Sequence, residues 1–172
     1  MTTFDIPAEV DAEFLERLFG TPENYAGAPD DNDEEHVFPD GTPTVFCTNW
    51  ATYVRRVMGD RATLHGFFSA DNPESRIGKD NDGHDFAIVD DRYLVDGWAL
   101  DMNYATRAVF DLQGPQDVIV VMMLYGDRGK WQRNTELEAS VDAETAEIRQ
   151  KALAGTDFHL ALEAYRQDLA FP

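Results

Sequence analysis

The sequence of 172 residues contains little cysteine and little lysine, with one Cys, Cys47, and three Lys against eleven Arg. A single cysteine excludes an internal disulfide framework and fits a reducing compartment. No apolar run approaches the roughly 20 residues that a membrane-spanning helix needs. The N-terminus has neither the basic nor the apolar region of a cleaved signal peptide. We therefore expect a soluble protein of the cytoplasm, or one exported without a cleaved signal peptide, and no membrane partner.

Positive charge is scarce overall. Lys and Arg number 14 against 33 acidic residues, which gives a formal net charge of −19, and residues 1–40 alone hold twelve acids and one Arg. Binding of phosphate needs a basic surface, so we expect no direct binding of nucleic acid. Three explanations of the acidity stay open: a solubilising surface, a salt-adapted source organism, or a surface that mimics nucleic acid or docks on a basic protein partner.

Motifs for cofactors and metals are also missing. The sequence has no glycine-rich nucleotide-binding pattern, and Cys47 and the four His lack the spacing of a zinc site. The acidic segment at residues 30–35 lacks the Gly and Glu positions of an EF-hand loop, and the segment at 80–83 would place Gly78 at the first ligand position and Val89 at the twelfth. The sequence therefore predicts no cofactor and no resident metal.

Apolar residues are plentiful enough for one core. They make up 43% of the chain and include 20 Phe, Trp and Tyr residues. This length and composition predict a single domain over residues 1–172. Residues 21–44 contain four prolines and a run of acids, which predicts an acidic, mobile loop.

The spacing of apolar residues predicts helices at both ends of the chain and strands between them. The first helix is expected at residues 5–20, capped by Asp5, and the second at 44–58, capped by Thr44 and ended by Gly59. Residues 70–83 read as loop. Strands are expected at 62–69, 84–89, 92–98, 106–112, 118–125 and 131–137. The all-apolar segment 118–125 is the candidate for a central, buried strand.

Two C-terminal helices complete the predicted order. One is capped by Ser140 or Asp142 and ends near Ala154, and the last begins at Thr156 or Asp157. The whole pattern predicts an α+β fold, with N-terminal helices packed on a mostly antiparallel sheet and further helices at the C-terminus.

The single cysteine falls in the first turn of the predicted second helix. Cys47 shares the inward face of that helix with Trp50 and Val54. The free N–H groups and the positive dipole end of a helix start favour a thiolate. A lone inward-facing cysteine is, however, more often a small core residue.

A histidine and an aspartate follow on two neighbouring strands. With a three-residue loop at 90–92, Phe86 faces Asp96 and His84 faces Trp98, so that His84 and Asp96 lie diagonally on one face. A two-residue turn would place Asp96 opposite Asp85 instead. We favour the longer loop because Asp-Asp lacks the glycine that a two-residue primed turn prefers.

Cys47, His84 and Asp96 supply the nucleophile, the base and the orienting acid of a thiol active site. His65 is a competing base, and Asp101 or Asn103 is the alternative orienting group. His36, in the acidic loop, and His159, on the last helix, are expected to lie outside the site. Three weaker candidates for contacts with substrate or oxyanion are Asn49, Trp50 and Trp98.

This pattern resembles the papain-like superfamily in its broad sense, above all transglutaminase-like domains and papain-fold deamidase toxins, and also the peptidoglycan-cleaving cysteine peptidases. The resemblance covers about 50 residues: Cys47 on a helix start, then Gly83-His84 opening a strand, then Tyr93-Leu94-Val95-Asp96 and Trp98. It departs from the family pattern in a Cys-to-His separation of only 37 residues and in lacking Gly-x-Cys-Trp around Cys47. The resemblance implies a papain-like core and acyl transfer through a thioester, with backbone N–H groups near Cys47 holding the oxyanion.

Two functions are therefore weighed. The first is a cysteine-nucleophile amide-bond hydrolase or acyltransferase (a peptidase, deamidase or transglutaminase-like enzyme of the toxin or effector type) acting on a protein or peptide substrate. The second is a non-catalytic acidic binding protein, such as an immunity-type inhibitor, an adaptor or a charge mimic of nucleic acid. The first predicts an accessible Cys47 beside a histidine. The second predicts a buried Cys47 and acids grouped on one face.

Overall fold

A computed structural model describes residues 6–20, 38 and 42–153 as helices packed on a five-stranded antiparallel sheet. The helices are α1 (Ala12–Phe19), α2 (Cys47–Met58), α3 (Arg76–Asp80), α4 (Gly97–Asp101), α5 (Pro115–Tyr125) and α6 (Thr135–Leu153). The strands are β1 (Ala62–Phe68), β2 (Gly83–Val89), β3 (Tyr93–Val95), β4 (Val109–Asp111) and β5 (Gln132–Arg133). The predicted α+β combination of helices with an antiparallel sheet is confirmed. No helix in these ranges has both the length and the apolar character needed to cross a membrane.

Strand β2 occupies the middle of the sheet, whose order is β4-β3-β2-β1-β5. It pairs with β1 over seven residues, from Ala62 opposite Val89 to Phe68 opposite Gly83. Helix α2 packs against β2 and β1, and α1 packs at the other end of the sheet against β3 and β4. Both neighbours of β2 and helix α2 thus surround the strand that carries His84.

The hairpin of β2 and β3 has the register that the three-residue loop predicts. Val89 lies opposite Tyr93 and Ala87 opposite Val95, with residues 90–92 as the loop. Asp90 and Asp91 adopt positive φ angles of 51° and 54°, a conformation that Asp tolerates better than most residues. The predicted strand at 92–98 is too long, however. β3 ends at Val95 because the side chain of the next residue, Asp96, caps helix α4.

The predicted central strand at residues 118–125 is wrong, since these residues belong to helix α5. Eight apolar residues in succession contain no polar positions, so their sequence cannot show whether the period is 2 or 3.6. Pro115 suits the first turn of a helix, where its missing N–H is not needed, and Gly126 follows the helix with a φ of 68°. The buried residues have helical spacing: Val121, Leu124 and Tyr125.

Several helix starts also differ from their predictions. Helix α1 begins at Ala12, capped by Asp11, whose Oδ1 accepts from Phe14 N at 2.8 Å. Helix α2 begins at Cys47 rather than at Thr44, because the Asn49 side chain turns back to accept from the Phe46 N–H at 3.0 Å. Its predicted end is confirmed, with Gly59 following at a φ of 60°. In each case a local side-chain hydrogen bond decides the first turn.

The last described segment is more helical than predicted. The expected strand at 131–137 is reduced to the two residues of β5, because Asn134 caps α6 by accepting from Leu137 N at 3.1 Å. Helix α6 therefore starts before Ser140 and Asp142. The predicted loop at 70–83 contains helix α3, capped by Ser75, and the predicted strand at 106–112 is limited to β4. Asp5, most of the acidic loop at 21–44 with His36, and the last predicted helix with His159 lie outside the described residues.

Candidate active site

A cleft of about 640 Å³ opens beside the first residues of β2. Cys47 of α2, His84 and Asp85 of β2, and Phe68 of β1 contribute to its walls, together with the segment 132–136 that leads into α6. Cys47 is partly exposed. The cleft therefore gives solvent a route to the single thiol of the chain.

His84 and Asp96 form a buried pair at the base of this cleft. Their side chains are 0% and 1% exposed, and 2.6 Å separates His84 Nε2 from Asp96 Oδ2. The second oxygen, Oδ1, accepts the backbone N–H of Ala99 at 3.0 Å, and Oδ2 also accepts the hydroxyl of Tyr125 at 2.8 Å. Because three donors converge on the carboxylate, its position and that of the imidazole are fixed.

The electrostatics of this pair keep His84 protonated near neutral pH. Burial lowers the pKa of the imidazole, but the charge and the hydrogen bond of Asp96 raise it more strongly. A hydrogen-bonding interaction with Cys47 and the charge of Cys47 add to the increase. The result is a His84 pKa of about 9, against 6.5 for an ordinary histidine.

The other ring nitrogen of His84, Nδ1, is not held by Asp96. Nδ1 is buried and has no hydrogen-bond partner among the described residues. Since Asp96 occupies Nε2, the interaction with Cys47 that contributes to the pKa falls to Nδ1. Nδ1 is therefore the ring nitrogen that is left for the Cys47 sulfur.

A second hydrogen bond fixes the first turn of α2 against β2. The hydroxyl of Thr48 donates to Asp85 Oδ2 at 2.5 Å. The carboxylate of Asp85 lies over Gly66, where a Cβ atom would overlap Asp85 Oδ1 and stand 2.9 Å from the carbonyl oxygen of His84. The residues next to Cys47 and to His84 are thus joined directly, which sets the approach of the thiol to the imidazole.

The start of α2 also leaves backbone donors near the sulfur. The first backbone hydrogen bonds of this helix run from Asn49 and Trp50 to the carbonyl of Phe46. The N–H groups of Cys47 and Thr48 precede them and have no carbonyl within the helix to bond. Free N–H groups at a helix start favour negative charge that develops close to them.

The three weaker candidates from the sequence occupy different positions. Trp98 packs beside the imidazole of His84, with 4.9 Å between the ring centroids. Trp50 lies in the core, 5% exposed, where its Nε1 donates to Thr44 O and its ring fills the space that Gly97 leaves. Asn49 Oδ1 accepts from the Phe46 backbone. The structure thus brings Cys47, His84, Asp96 and Trp98 together, whereas Trp50 and Asn49 serve the core and the helix start.

The alternative partners of the site lie elsewhere. His65 bonds through Nε2 with Thr63 Oγ1 at 3.0 Å and does not line the cleft. Burial, and to a smaller extent Arg133, lowers the pKa of His65. Asp101 and Asn103 are exposed at the end of α4. In the structure it is Asp96 that bonds His84.

Tyr125, Thr48 and Asp85 are the contributors to this site that the sequence did not reveal. Tyr125 was hidden because its segment read as a strand, whereas only the end of a helix brings its hydroxyl to Asp96. Asp85 and Thr48 carried one available signal, since each directly follows a candidate catalytic residue. Their hydrogen bond joins segments 37 residues apart and depends on the packing of α2 on β2.

Among the described residues no group of three His, Cys, Asp or Glu side chains is arranged to hold a metal ion. No known family model matches the sequence, and no curated protein or solved structure is significantly similar to it. The function of the chain therefore has to be inferred from the chemistry of the cleft.

Proposed function

We propose that this protein is a cysteine-nucleophile amide-bond hydrolase or acyltransferase, with Cys47 as nucleophile, His84 as acid and base, and Asp96 as orienting group. The observation that carries the proposal is the arrangement around His84. Its Nε2 is held by buried Asp96 at 2.6 Å, while its Nδ1 remains available to the Cys47 thiol. A core cysteine would need neither the buried ion pair nor the adjoining cleft.

The chemistry follows from the protonation of His84. An imidazolium beside a cysteine sulfur favours the thiolate, which is the nucleophilic form. The thiolate attacks the carbonyl carbon of an amide, and the oxyanion that forms accepts hydrogen bonds from the N–H groups of Cys47 and Thr48. As the C–N bond breaks, His84 gives its proton to the leaving amine, or to ammonia where the substrate is a glutamine side chain.

The second half-reaction restores the enzyme. His84, now neutral, takes a proton from a water molecule that attacks the thioester, and the acyl group leaves as a carboxylic acid. The C–S bond breaks, the sulfur returns to its thiolate form and His84 is again protonated. An amine in place of water would give a transferase by the same steps. Asp96 holds the ring for both proton transfers and balances its charge.

A papain-like core in the broad sense is part of this proposal. Supporting features are the cysteine on the first residue of a helix, the histidine near the start of a strand, and the aspartate that follows the next strand. The competing proposal of an acidic binding protein requires a buried Cys47. The partial exposure of Cys47 at the cleft favours the enzyme.

The test is the rate at which iodoacetamide alkylates Cys47 in the folded protein between pH 5 and 9, followed by mass spectrometry. Because the chain has one cysteine, the label reports on Cys47 alone. We expect rapid labelling near pH 6, and a loss of about tenfold or more when His84→Gln removes the imidazolium.

His65→Gln is the matched control, because His65 lies one strand away and outside the cleft. It should leave the labelling rate within about twofold of the parent protein. Labelling that occurs only after unfolding, or that is equally fast in His84→Gln and the parent protein, would refute the proposed nucleophile. If the labelling instead supports Cys47 as the nucleophile, the protein would be screened against peptide amides and glutamine peptides for release of amine or ammonia.

A further inference from the structure

We propose that the cleft selects amide substrates that carry a basic side chain, of Lys or Arg, beside the acyl group that Cys47 attacks. Asp85 and Glu136 are the acidic residues that recognise this side chain, and Phe68 supports its apolar stem. The proposal rests on the function proposed above and adds to it the chemical class of the substrate.

The charged groups in and around the cleft leave an excess of negative charge. His84 is paired with Asp96, and Arg133 makes a two-pronged ion pair with Glu138, at 3.0 Å from Nε to Oε1 and 2.8 Å from Nη2 to Oε2. These two pairs are each neutral overall. Besides Cys47, which the proposed function makes a thiolate, Asp85 and Glu136 remain as the charged residues of the lining.

Neither acid is neutralised by its neighbours. The described hydrogen-bond partner of Asp85 is the uncharged hydroxyl of Thr48. Glu136 is exposed in the first turn of α6, and no basic side chain of the described residues pairs with it. The cleft therefore carries two uncompensated negative charges next to the nucleophile, which attract a cationic group and repel an anionic one.

An apolar surface lies within the same cleft. Phe68 ends strand β1 with 65% of its surface exposed, although it lines the cleft. Lys and Arg side chains lay their methylene stems along apolar surfaces and place the charged end in a polar setting. An aromatic ring also attracts the cation itself. The combination of one exposed ring and two acids suits a long basic side chain better than a short or acidic one.

The experiment compares three methanethiosulfonate reagents that differ in charge. They are 2-(trimethylammonium)ethyl, 2-sulfonatoethyl and methyl methanethiosulfonate, and each transfers its thioalkyl group to Cys47 as methanesulfinate leaves. The quantity measured is the ratio of the cationic to the anionic rate, with the neutral reagent reporting the reactivity of the thiol. We expect the double variant Asp85→Asn/Glu136→Gln to reduce this ratio about tenfold.

A control is needed because the whole chain is acidic. Glu9→Gln/Glu13→Gln removes the same number of charges near α1, which packs at β3 and β4, away from the cleft. It should change the ratio by less than about twofold at physiological ionic strength, because charges beyond roughly 8 Å are screened. An equal effect of both double variants would refute recognition by Asp85 and Glu136.

Two further arms separate the possible failures. Glu136→Gln alone changes an exposed residue, so it keeps the test valid if the substitution at Asp85 disturbs the fold.

Chloroacetyl-lysine amide should label Cys47 about fivefold faster or more than chloroacetyl-norleucine amide, which has a similar stem without the charge. Equal rates would refute the preference. If even the neutral reagent fails to label folded protein, the proposed function itself is overturned, together with this inference.

Discussion

At the scale of single residues, the site depends on a histidine that is both buried and charged. Burial lowers the pKa of His84, and only the adjacent Asp96, with a smaller contribution from Cys47, raises it to about 9. Asp96 in turn accepts from Ala99 N and from the Tyr125 hydroxyl, so its carboxylate does not depend on His84 alone. Buried charges are tolerated when they are paired and hydrogen-bonded in this way.

The raised pKa of His84 predicts a specific dependence of stability on pH. The folded protein holds this proton up to about pH 9, whereas the unfolded chain releases it near pH 6.5. The stabilisation is therefore complete below pH 6.5 and is lost as the pH rises to 9. Its size is roughly 3 kcal/mol, at about 1.4 kcal/mol per pKa unit.

Urea denaturation at several pH values from 6 to 9.5 measures this effect. The free energy of unfolding should fall across the interval in the parent protein, and the fall should disappear in His84→Gln, which has no titrating ring. Equal slopes in the two proteins would mean that another group is responsible for the dependence on pH.

At the scale of elements, the site lies where the start of α2 meets the start of β2. The Thr48–Asp85 hydrogen bond joins the two elements, and Gly66 on β1 leaves the space that the Asp85 carboxylate needs. Adjacent residues of a strand point to opposite faces, so Asp85 can bond α2 while its neighbour His84 reaches Asp96. The same strand therefore bonds helix α2 with one residue and forms the buried pair with Asp96 with the next.

The variant Thr48→Val tests whether the Thr48–Asp85 hydrogen bond positions Cys47 in addition to stabilising the fold. The hydroxyl is lost with little change of shape, so α2 loses its direct hydrogen bond to β2. We expect the free energy of unfolding to fall by about 1–2 kcal/mol, and alkylation of Cys47 at pH 6 to slow severalfold because the thiol is no longer held against His84.

Thr52→Val, on the same helix, is the matched control. Its hydroxyl donates to Asn49 O within α2 and makes no hydrogen bond to β2. This variant should lose some stability but keep the alkylation rate and its pH profile. A Thr48→Val protein with the parent alkylation rate would show that the hydrogen bond does not position the nucleophile.

At the scale of the whole molecule, the dominant property is the net charge of −19. Several ion pairs offset it locally, and one of them links helices α2 and α6, where Arg55 bonds Asp142 with Nε and Nη2. Acids outnumber bases by 33 to 14 in the sequence, so negative charge remains in large excess. Self-repulsion of this kind destabilises a compact state.

Salt should therefore stabilise the protein. Raising sodium chloride from about 0.01 M to 1 M shortens the screening length from about 30 Å to 3 Å, so we expect the free energy of unfolding in urea to rise by the order of 1 kcal/mol. Sodium chloride is preferred to sulfate, which also strengthens apolar burial. A fall in stability with salt would instead show that ion pairs such as Arg55–Asp142 outweigh the general repulsion.

Much of the site could be predicted because the signals are local. The register of the β2–β3 hairpin follows from alternation and loop length, which already placed His84 and Asp96 on one face. The position of Cys47 at the start of a helix follows from apolar spacing. Helix α5 could not be predicted in this way, because residues 118–125 are all apolar and contain no polar position to show the period.

Composition and local pattern were enough to establish one thiol, a strongly acidic chain, enough apolar residues for one core, and the order of helix, strand and turn around His84. The packing of the elements was needed to show that Tyr125 reaches Asp96, that Thr48 bonds Asp85, and that Trp50 belongs to the core while Trp98 packs on His84. The physical reason is distance along the chain. Local hydrogen bonds and periodicity are encoded within a few residues, whereas burial and long-range contacts depend on how complete elements pack together.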